Sequence, residues 1–573
     1  MKTVIFSVVV CALVVAVAPA AQPVPTRGPA SPDSFSKFVD DYFDARFAYL
    51  PTQGTDAGFH QYDSKFEDRS RRRIEARIVE LRTFLARLQA MDSSKLSFDD
   101  AIDAQALEGQ IRGFLLDQDT IRTWERNPMG YAGLPGGAAD SLIKRSFAPP
   151  AERLRSLVAR LKVMPPIYDA AKANLVNPPK EFTDLAIRMS KGSVGYFSGT
   201  VATWAKDAAG SDAVLKKEFD DANARVVAAT RDFAAWLEKD LLPRSKGSYA
   251  IGAANFLAKM KYDEGVEIPL AELLAKGQAQ LAKDYAAFVE TAKRIDPSKT
   301  PAQVMKSLSD EHPKPETLIS SVARSVEGAR RYLVEKDLVT IPSEVRPKVT
   351  ETPPFARSGS FASMDTPGAY ETKATEAFYY VTPVEPEWDA KHQEEHLRLY
   401  NPYVVSIVDV HEVWPGHYLQ FLYAPRFPTK TRKLVFCGTN AEGWAHYGEQ
   451  MMVDEGFGGG DPKYRLAQLQ EALLRDCRYV VGIQLHTQGM SVEDGAKVFV
   501  EKGFQEPANA YEEARRGAYN PTYLYYTLGK IQIQELRDEY RAKKGASLKQ
   551  FHDAFVAQGG LPIALVRKIL FRE

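Results

Sequence analysis

Long stripes of apolar residues at helical spacing dominate the chain. Two stretches, residues 71–91 and 268–290, repeat apolar side chains every three or four positions. Because that spacing gathers side chains on one face of an α-helix, both stretches are predicted to be long amphipathic helices. Shorter stripes recur around Leu154, Phe219 and Leu318. The chain is therefore predicted to be mainly α-helical, and the stripes are interpreted as core faces rather than cofactor-binding surfaces.

One stretch departs from the helical pattern. Residues 341–386 are rich in proline, serine and threonine, and they contain an aromatic and β-branched run, Ala377 to Thr382, that ends at Pro383. Such a run predicts a small sheet or hairpin. An edge strand beside an active site can hold an extended peptide by main-chain hydrogen bonds. A structural hairpin that covers a neighbouring helix fits the same residues, and the sequence leaves both interpretations open.

The N-terminus has the pattern of a secretory signal. Lys2 precedes an apolar run, Val4 to Val17, which small residues follow. The run is shorter than the ~20 residues that span a bilayer, so cleavage after residue 21 is expected. The residues before Cys11 lack the small side chain that precedes a lipidated cysteine. The sequence therefore predicts a soluble exported protein, periplasmic or secreted, without stable membrane insertion after signal cleavage.

The rest of the chain shows no internal repeat and no low-complexity linker longer than a few residues. We interpret it as one continuous module with a helical lobe at 22–340 and a catalytic lobe at 341–573. The 74 basic residues balance the 74 acidic ones, so no overall field attracts nucleic acid or an anionic membrane. Export leaves Cys437 and Cys477 as the cysteines of the mature chain, and an oxidising compartment favours a disulfide between them.

The candidate chemistry centres on residues 411–417, His-Glu-Val-Trp-Pro-Gly-His. Two histidines beside a glutamate, with a carboxylate downstream, make up the ligand set of a catalytic zinc site. On a regular helix, a spacing of six residues would turn His417 roughly 120° away from His411 and raise it about 9 Å. Pro415 and Gly416 are expected to interrupt the helix. A wide bulge there would bring the histidines together.

This motif, with Glu-Gly-Trp-Ala-His-Tyr-Gly-Glu at 442–449, resembles the bacterial domain of unknown function 885 family. That family is similar in motif order to helical zinc peptidases such as thimet oligopeptidase and the thermostable carboxypeptidases. Segments comparable to the family's occur at 50–58, 378–381 and 515–529, so the resemblance covers most of the mature chain. It implies a large, two-lobed, zincin-like helical fold with a small sheet beside the catalytic helix. The late segment 520–526 departs from the family's usual Pro-Gly-Gln-Ala-Leu-Ala-Tyr.

Three carboxylates are candidates for the third zinc ligand: Glu442, Glu449 and Asp454. The 25 residues from His417 to Glu442 permit a helix, a loop and a returning helix. The resemblance, together with this position, selects Glu442. His446 lies one turn further on the same helix face and is expected either to contact substrate or to be an ordinary helix histidine.

A rival pattern lies upstream, where residues 392–396 read His-Gln-Glu-Glu-His. This matches the inverted zinc motif H-x-x-E-H. Its neighbours are highly charged, which indicates a solvent-facing helix. By contrast, His411 follows a buried-looking run at 404–408 that suits a metal helix, so the first motif is preferred.

Glu412 is expected to act as general base, because a carboxylate beside a zinc histidine can take the proton of an attacking water. The resemblance points to Tyr526 as the donor to the oxyanion, with His486 assisting and Tyr523 as a neighbouring contact. Arg515 is a candidate partner for a substrate carboxylate, although a surface ion pair fits it equally well.

The residues together predict an exported zinc peptidase that acts on short peptides. The alternatives are a zinc hydrolase of another amide or ester, and an inactive binding protein that retains the fold. The presence of Glu412 beside a complete ligand set argues against the inactive protein. The sequence does not distinguish carboxypeptidase from endopeptidase action, and it leaves the substrate and the oligomeric state open.

Overall fold

The computed structural model describes residues 33–353, 357, 361–385 and 387–572. The predicted signal segment, residues 1–21, lies outside the described residues. No helix in the described ranges combines the length and the hydropathy that a membrane span requires.

The fold is mainly α-helical with one small sheet, as the sequence predicts. The helices before the sheet are α1 (Asp33–Tyr49), α2 (Pro51–Asp56), α3 (Arg71–Gln89), α4 (Phe98–Leu115), α5 (Thr123–Arg126), α6 (Met129–Ile143), α7 (Pro150–Val163), α8 (Pro166–Asn174), α9 (Lys180–Tyr196), α10 (Ala202–Ala209), α11 (Ala213–Trp236), α12 (Leu242–Arg244), α13 (Ala253–Glu264), α14 (Leu270–Ile295), α15 (Pro301–Leu308) and α16 (Leu318–Glu335). Those after the sheet are α17 (Ala390–Leu399), α18 (Pro402–Glu412), α19 (His417–Tyr423), α20 (Lys430–Leu434), α21 (Gly438–Asp454), α22 (Pro462–Thr487), α23 (Val492–Glu501), α24 (Pro507–Tyr519), α25 (Tyr525–Lys544), α26 (Leu548–Val556) and α27 (Ile563–Phe571).

The two long helices that the apolar stripes predict are α3 and α14. In α3, Ile74, Ile78 and Leu81 are buried, and the Ser70 side chain accepts a hydrogen bond from the Arg73 amide at the N-terminus of the helix. That bond satisfies one of the free N–H groups that every helix start exposes. The buried stripe and the cap together explain where α3 begins and which face it buries.

The small sheet has three strands in the order β1-β3-β2: β1 (Lys348–Glu351), β2 (Ala362–Asp365) and β3 (Phe378–Val381). The predicted aromatic run is β3, the central strand. It pairs in parallel with β1 and antiparallel with β2. A simple hairpin is therefore excluded, and β2 is an edge strand of this sheet.

Helix α18 carries the first predicted ligand and is buried on opposite sides. Val405 and Val410 belong to one hydrophobic cluster, which also contains Trp414 and Trp444. Ile407, on another face, belongs to a second cluster. A helix that is apolar all round belongs in the core of a large protein, and burial on both sides fixes the orientation of its polar side chains.

Helices α21 and α25 approach each other closely beside α18. A Cβ atom on Gly443 would lie 2.5 Å from the Gly529 Cα atom, and one on Gly529 would lie 2.1 Å from the Thr439 carbonyl oxygen. Glycine is therefore required at both positions by the contact between backbones. This contact brings the tyrosines at the start of α25 next to the carboxylates of α21.

The predicted disulfide is wrong, because Cys437 and Cys477 are both free and buried in separate surroundings. The Cys437 thiol donates to the Glu264 carboxylate, with 3.2 Å between Sγ and Oε2. The Cys477 thiol faces the Val498 carbonyl oxygen at 3.7 Å. An even cysteine count indicates that pairing is possible, but a disulfide also requires the Cα atoms to lie within about 7 Å.

Candidate metal centre

The chain between the two histidines leaves the helix instead of bulging within it. Helix α18 ends at Glu412, the Trp414–Pro415 peptide bond is cis, and α19 begins at His417. A Cβ atom at Gly416 would lie 1.6 Å from the His411 carbonyl oxygen, so only glycine allows the chain to turn back here. The predicted interruption is confirmed, and it takes the form of a break between two helices.

This break brings the three predicted ligands together. The rings of His411 and His417 are nearly perpendicular, with their centroids 4.8 Å apart. Glu442 Oε2 lies 3.4 Å from Nε2 of His411 and 3.3 Å from Nε2 of His417. Among the described residues, these form the one group of three or more His, Cys, Asp or Glu side chains whose ligand atoms converge, all within 4.8 Å of one another.

The contacts of His411 and Glu442 leave one buried carboxylate oxygen without a hydrogen-bond partner among the described residues. His411 Nδ1–H donates to Glu449 Oε1 at 2.6 Å, so Nε2 is the ring nitrogen that faces Glu442 Oε2, at 3.4 Å. Glu442 Oε2 is buried and has no hydrogen-bond partner in the described chain. A buried carboxylate oxygen without a hydrogen-bond partner is unfavourable unless a positive charge compensates it, either a proton on His411 Nε2 or a bound cation.

The ionisation of the ligands follows from the same contacts. Burial opposes the charge on Glu442, but His417 and His411 outweigh it and hold its pKa well below its usual range. Burial acts to lower the pKa of His411, but the hydrogen bonds to Glu442 and Glu449 have the larger effect. The pKa of His411 is therefore raised to about 9 in the metal-free protein. At neutral pH, His411 Nε2 therefore carries a proton or a metal ion.

Glu449, the rival candidate for third ligand, contacts the opposite side of the same imidazole. Its side chain is 0% exposed. One oxygen accepts from His411 and lies 3.2 Å from Nη2 of Arg475, and the other accepts from His446 Nδ1 at 3.1 Å. Burial opposes its charge, yet Arg475 and His446 hold its pKa well below the usual range. A carboxylate on this nitrogen fixes the tautomer and the orientation of a metal-binding histidine.

Glu412 directly follows His411 in the chain, and its side chain contacts the sheet. Its Oε2 accepts a hydrogen bond from the Met364 amide of β2 at 3.1 Å. The side chain of Glu412 is half-buried. The predicted general base is therefore held by the edge strand, and it does not take part in the ligand group itself.

Tyrosines at the start of α25 form an aromatic wall of the site. The Tyr526 ring centroid lies 6.3 Å from that of His411. Burial and the Glu442 carboxylate raise the pKa of Tyr526, so its hydroxyl keeps its proton at neutral pH. The Tyr523 hydroxyl donates to Glu513, whereas the Tyr525 hydroxyl accepts from Asn520 Nδ2 at 2.9 Å and keeps its own proton available. Tyr526 is preferred as the donor to a substrate because its ring lies beside that of His411.

The remaining predicted histidines lie further from the ligand group. His446 is fully buried behind Glu449, and burial lowers its pKa to about 3, so it stays neutral. His486 is buried and donates from Nε2 to the Gly517 carbonyl oxygen at 2.9 Å. The structure places both side chains in the supporting core.

Arg515 and the rival zinc motif are engaged elsewhere. Arg515 pairs with Glu512 at 3.0 Å on α24. His392 stacks on Trp388 with ring centroids 4.1 Å apart, and His396 Nε2 donates to the Thr382 carbonyl oxygen at 2.8 Å. The H-x-x-E-H pattern therefore serves to hold α17 against the sheet.

Two groups that contact the site were not predicted from the sequence. The Met364 amide is a backbone group, and no residue type signals it. Arg475 is buried on α22, where an arginine is costly unless it is paired. The signal in the sequence is its place after the apolar run of residues 472–474.

Comparisons with known proteins place the chain in a family. Residues 51–570 match the model of a family described as bacterial protein of unknown function, DUF885. No curated protein matches the chain.

Two solved structures share the fold. A protein from Shewanella oneidensis, described as a candidate lipoprotein of unknown function, has 25% sequence identity and a TM-score of 0.78, with 94% of this chain and 99% of that chain covered. A candidate lipoprotein from Colwellia psychrerythraea has 18% identity and a TM-score of 0.80, with 95% and 99% covered. Because the family model spans nearly the whole described chain, the protein belongs to DUF885, a family of bacterial proteins of unknown function.

Proposed function

We propose that this protein is a zinc-dependent hydrolase that cleaves peptides. The observation that carries the proposal is the convergence of two imidazole nitrogens and one carboxylate oxygen on a single point. The hydrogen bond from His411 Nδ1 to Glu449 turns the other nitrogen of that ring towards the point. This donor set, completed by a water, is the ligand set of catalytic zinc sites.

The spacing of the ligand atoms fits zinc. Ligands at about 2.0–2.1 Å in a tetrahedral arrangement lie about 3.3 Å from one another. Glu442 Oε2 lies 3.4 and 3.3 Å from the two Nε2 atoms, and the three ligand atoms all lie within 4.8 Å of one another. Two nitrogens and a carboxylate also suit zinc better than calcium or magnesium, which prefer oxygen ligands.

The remaining residues supply the chemistry of hydrolysis. Zinc, when bound, polarises a carbonyl group and lowers the pKa of water. Glu412 accepts the proton of the attacking water and then delivers it to the leaving amine. Tyr526, whose hydroxyl stays protonated, donates a hydrogen bond to the oxyanion that develops on the carbonyl. These roles require no further side chain.

Peptides are the substrate class that the sheet favours. The Met364 amide of edge strand β2 bonds to Glu412, so the strand runs beside the reacting groups. An edge strand binds an extended chain through main-chain hydrogen bonds, which any peptide can make. The similarity in motif order to thimet oligopeptidase and the thermostable carboxypeptidases supports the same substrate class.

Export completes the proposal. Residues 1–21 have the composition of a cleaved signal, and the two similar solved structures are described as candidate lipoproteins. We therefore propose that the protein acts outside the cytoplasm.

The test is a mixed peptide library incubated with zinc-loaded protein, with product masses read by mass spectrometry. Defined cleavage products that vanish with a chelator and return with zinc support the proposal. Zinc-loaded protein that cleaves no peptide but hydrolyses esters or other amides would overturn the peptide assignment. Protein that binds no zinc would overturn the hydrolase itself.

A further inference from the structure

Arg516 is an arginine without a carboxylate partner, beside the site. It lies in the last turn of α24 and is partly buried. None of its side-chain nitrogens has a hydrogen bond or an ion pair with another residue of the described ranges. The end of a helix offsets part of its charge, and the five N–H donors of the guanidinium remain free to bind a ligand.

The neighbouring charges do not neutralise it. Arg478 donates hydrogen bonds to both oxygens of Glu513, at 2.7 and 2.8 Å, as a bidentate pair. Arg516 and Arg478 flank the Tyr523 ring, at 5.5 and 5.2 Å from its centroid. Two guanidinium groups and one carboxylate leave one positive charge in excess. The guanidinium of Arg516 is therefore free to pair with a carboxylate that a ligand supplies.

The excess charge lies close to the reacting groups. Arg478 lies 5.2 Å from the centroid of the Tyr523 ring and 5.1 Å from that of Tyr526. The Tyr526 ring in turn lies 6.3 Å from the ring of His411. Arg516, on the Tyr523 ring, is therefore separated from the ligand group by two neighbouring tyrosines. A peptide whose scissile carbonyl sits between Glu442 and Tyr526 would extend towards Arg516.

We infer that Arg516 binds the free α-carboxylate at the C-terminus of a peptide, which makes this protein a carboxypeptidase. The inference rests on the proposed function. A guanidinium matches a carboxylate with two parallel hydrogen bonds, and arginine is the residue suited to that recognition. The sequence pointed to the adjacent Arg515, but that side chain is paired with Glu512.

The test compares one N-blocked peptide as free acid and as C-terminal amide. For the zinc-loaded wild type, we expect kcat/KM to favour the acid by about 10- to 100-fold, the range of charge-assisted hydrogen bonds. Arg516→Met should bring the ratio near one through a higher KM for the acid, and Arg516→Lys should restore part of it. Because the ratio is taken within one preparation, partial unfolding of a variant cancels out.

Two controls and a second measurement complete the design. Arg541→Met removes an exposed arginine of α25 and should leave the ratio unchanged. Calorimetry on metal-free protein should show the same preference for the acid, and its loss in Arg516→Met. A wild type that treats acid and amide alike in both measurements overturns the inference while leaving peptide hydrolysis intact. Loss of the preference in Arg515→Met, with Arg516→Met unchanged, would also overturn it. Acid-selective binding without any cleavage would instead count against the proposed hydrolase.

Discussion

Replacing Glu449 by glutamine tests how the metal helix is supported. The substitution keeps the shape of the side chain but removes its negative charge. That charge contacts His411, His446 and Arg475. The amide oxygen can still accept from His411 Nδ1, while Arg475 keeps only Glu471 as an ionic partner. The site should therefore assemble but hold zinc more weakly.

The magnitude follows from the burial of the group. Loss of a carboxylate that supports a metal-binding histidine costs about 10- to 100-fold in metal affinity. Breaking a buried charge pair by removing one partner costs about 3–5 kcal/mol. Arg475 keeps Glu471 as a partner, and the glutamine can still form hydrogen bonds. We therefore expect the free energy of unfolding of the metal-free protein to fall by about 3–4 kcal/mol, the lower half of the range for a buried charge pair.

Competition with a chelator measures the zinc affinity. Urea unfolding of the metal-free protein measures its stability. Glu455→Gln, an exposed glutamate just after α21, is the matched control and should change neither. Zinc affinity and unfolding midpoint both at wild-type values in Glu449→Gln would refute the supporting role. Complete loss of zinc in Glu449→Gln, with full retention in Glu442→Gln, would make Glu449 the ligand.

Two further substitutions probe the break in the helix and the aromatic wall. Gly416→Ala places a Cβ atom 1.6 Å from the His411 carbonyl oxygen, so zinc affinity and thermal stability should both fall. A variant with wild-type values for both would contradict the assigned role of Gly416. Tyr526→Phe removes the oxyanion donor and should lower kcat about 10²- to 10³-fold, with zinc content unchanged; an unaltered kcat would transfer the role to another donor.

The sequence predicted which side chains converge in the candidate metal centre, because the residue types themselves indicate the chemistry. Two histidines, a glutamate and a Pro-Gly pair signal ligands and a break in the helix. The third ligand was harder, because Glu442 and Glu449 lie two turns apart on nearly the same helix face. Only the fold decides that Glu442 faces Nε2 of His411 while Glu449 faces Nδ1.

Long-range pairing was predicted less well. The parallel partner of β3 is β1, a polar strand about 30 residues earlier that carries no apolar pattern of its own. The disulfide was wrong for a similar reason, because the cysteine count carries no information on distance. Arg515 and Arg516 differ by one position, which on a helix is a turn of about 100°, and sequence alone does not fix that phase.

The most direct test of the account is Glu412→Gln. The amide keeps the shape of the side chain but cannot accept a proton at neutral pH, so turnover should fall by about 10²- to 10⁴-fold. Zinc should remain bound, because Glu412 is outside the ligand group. Zinc content and peptide hydrolysis are measured on one preparation, with wild type alongside. Bound zinc with collapsed turnover is the predicted result, and wild-type turnover in this variant would contradict the mechanism.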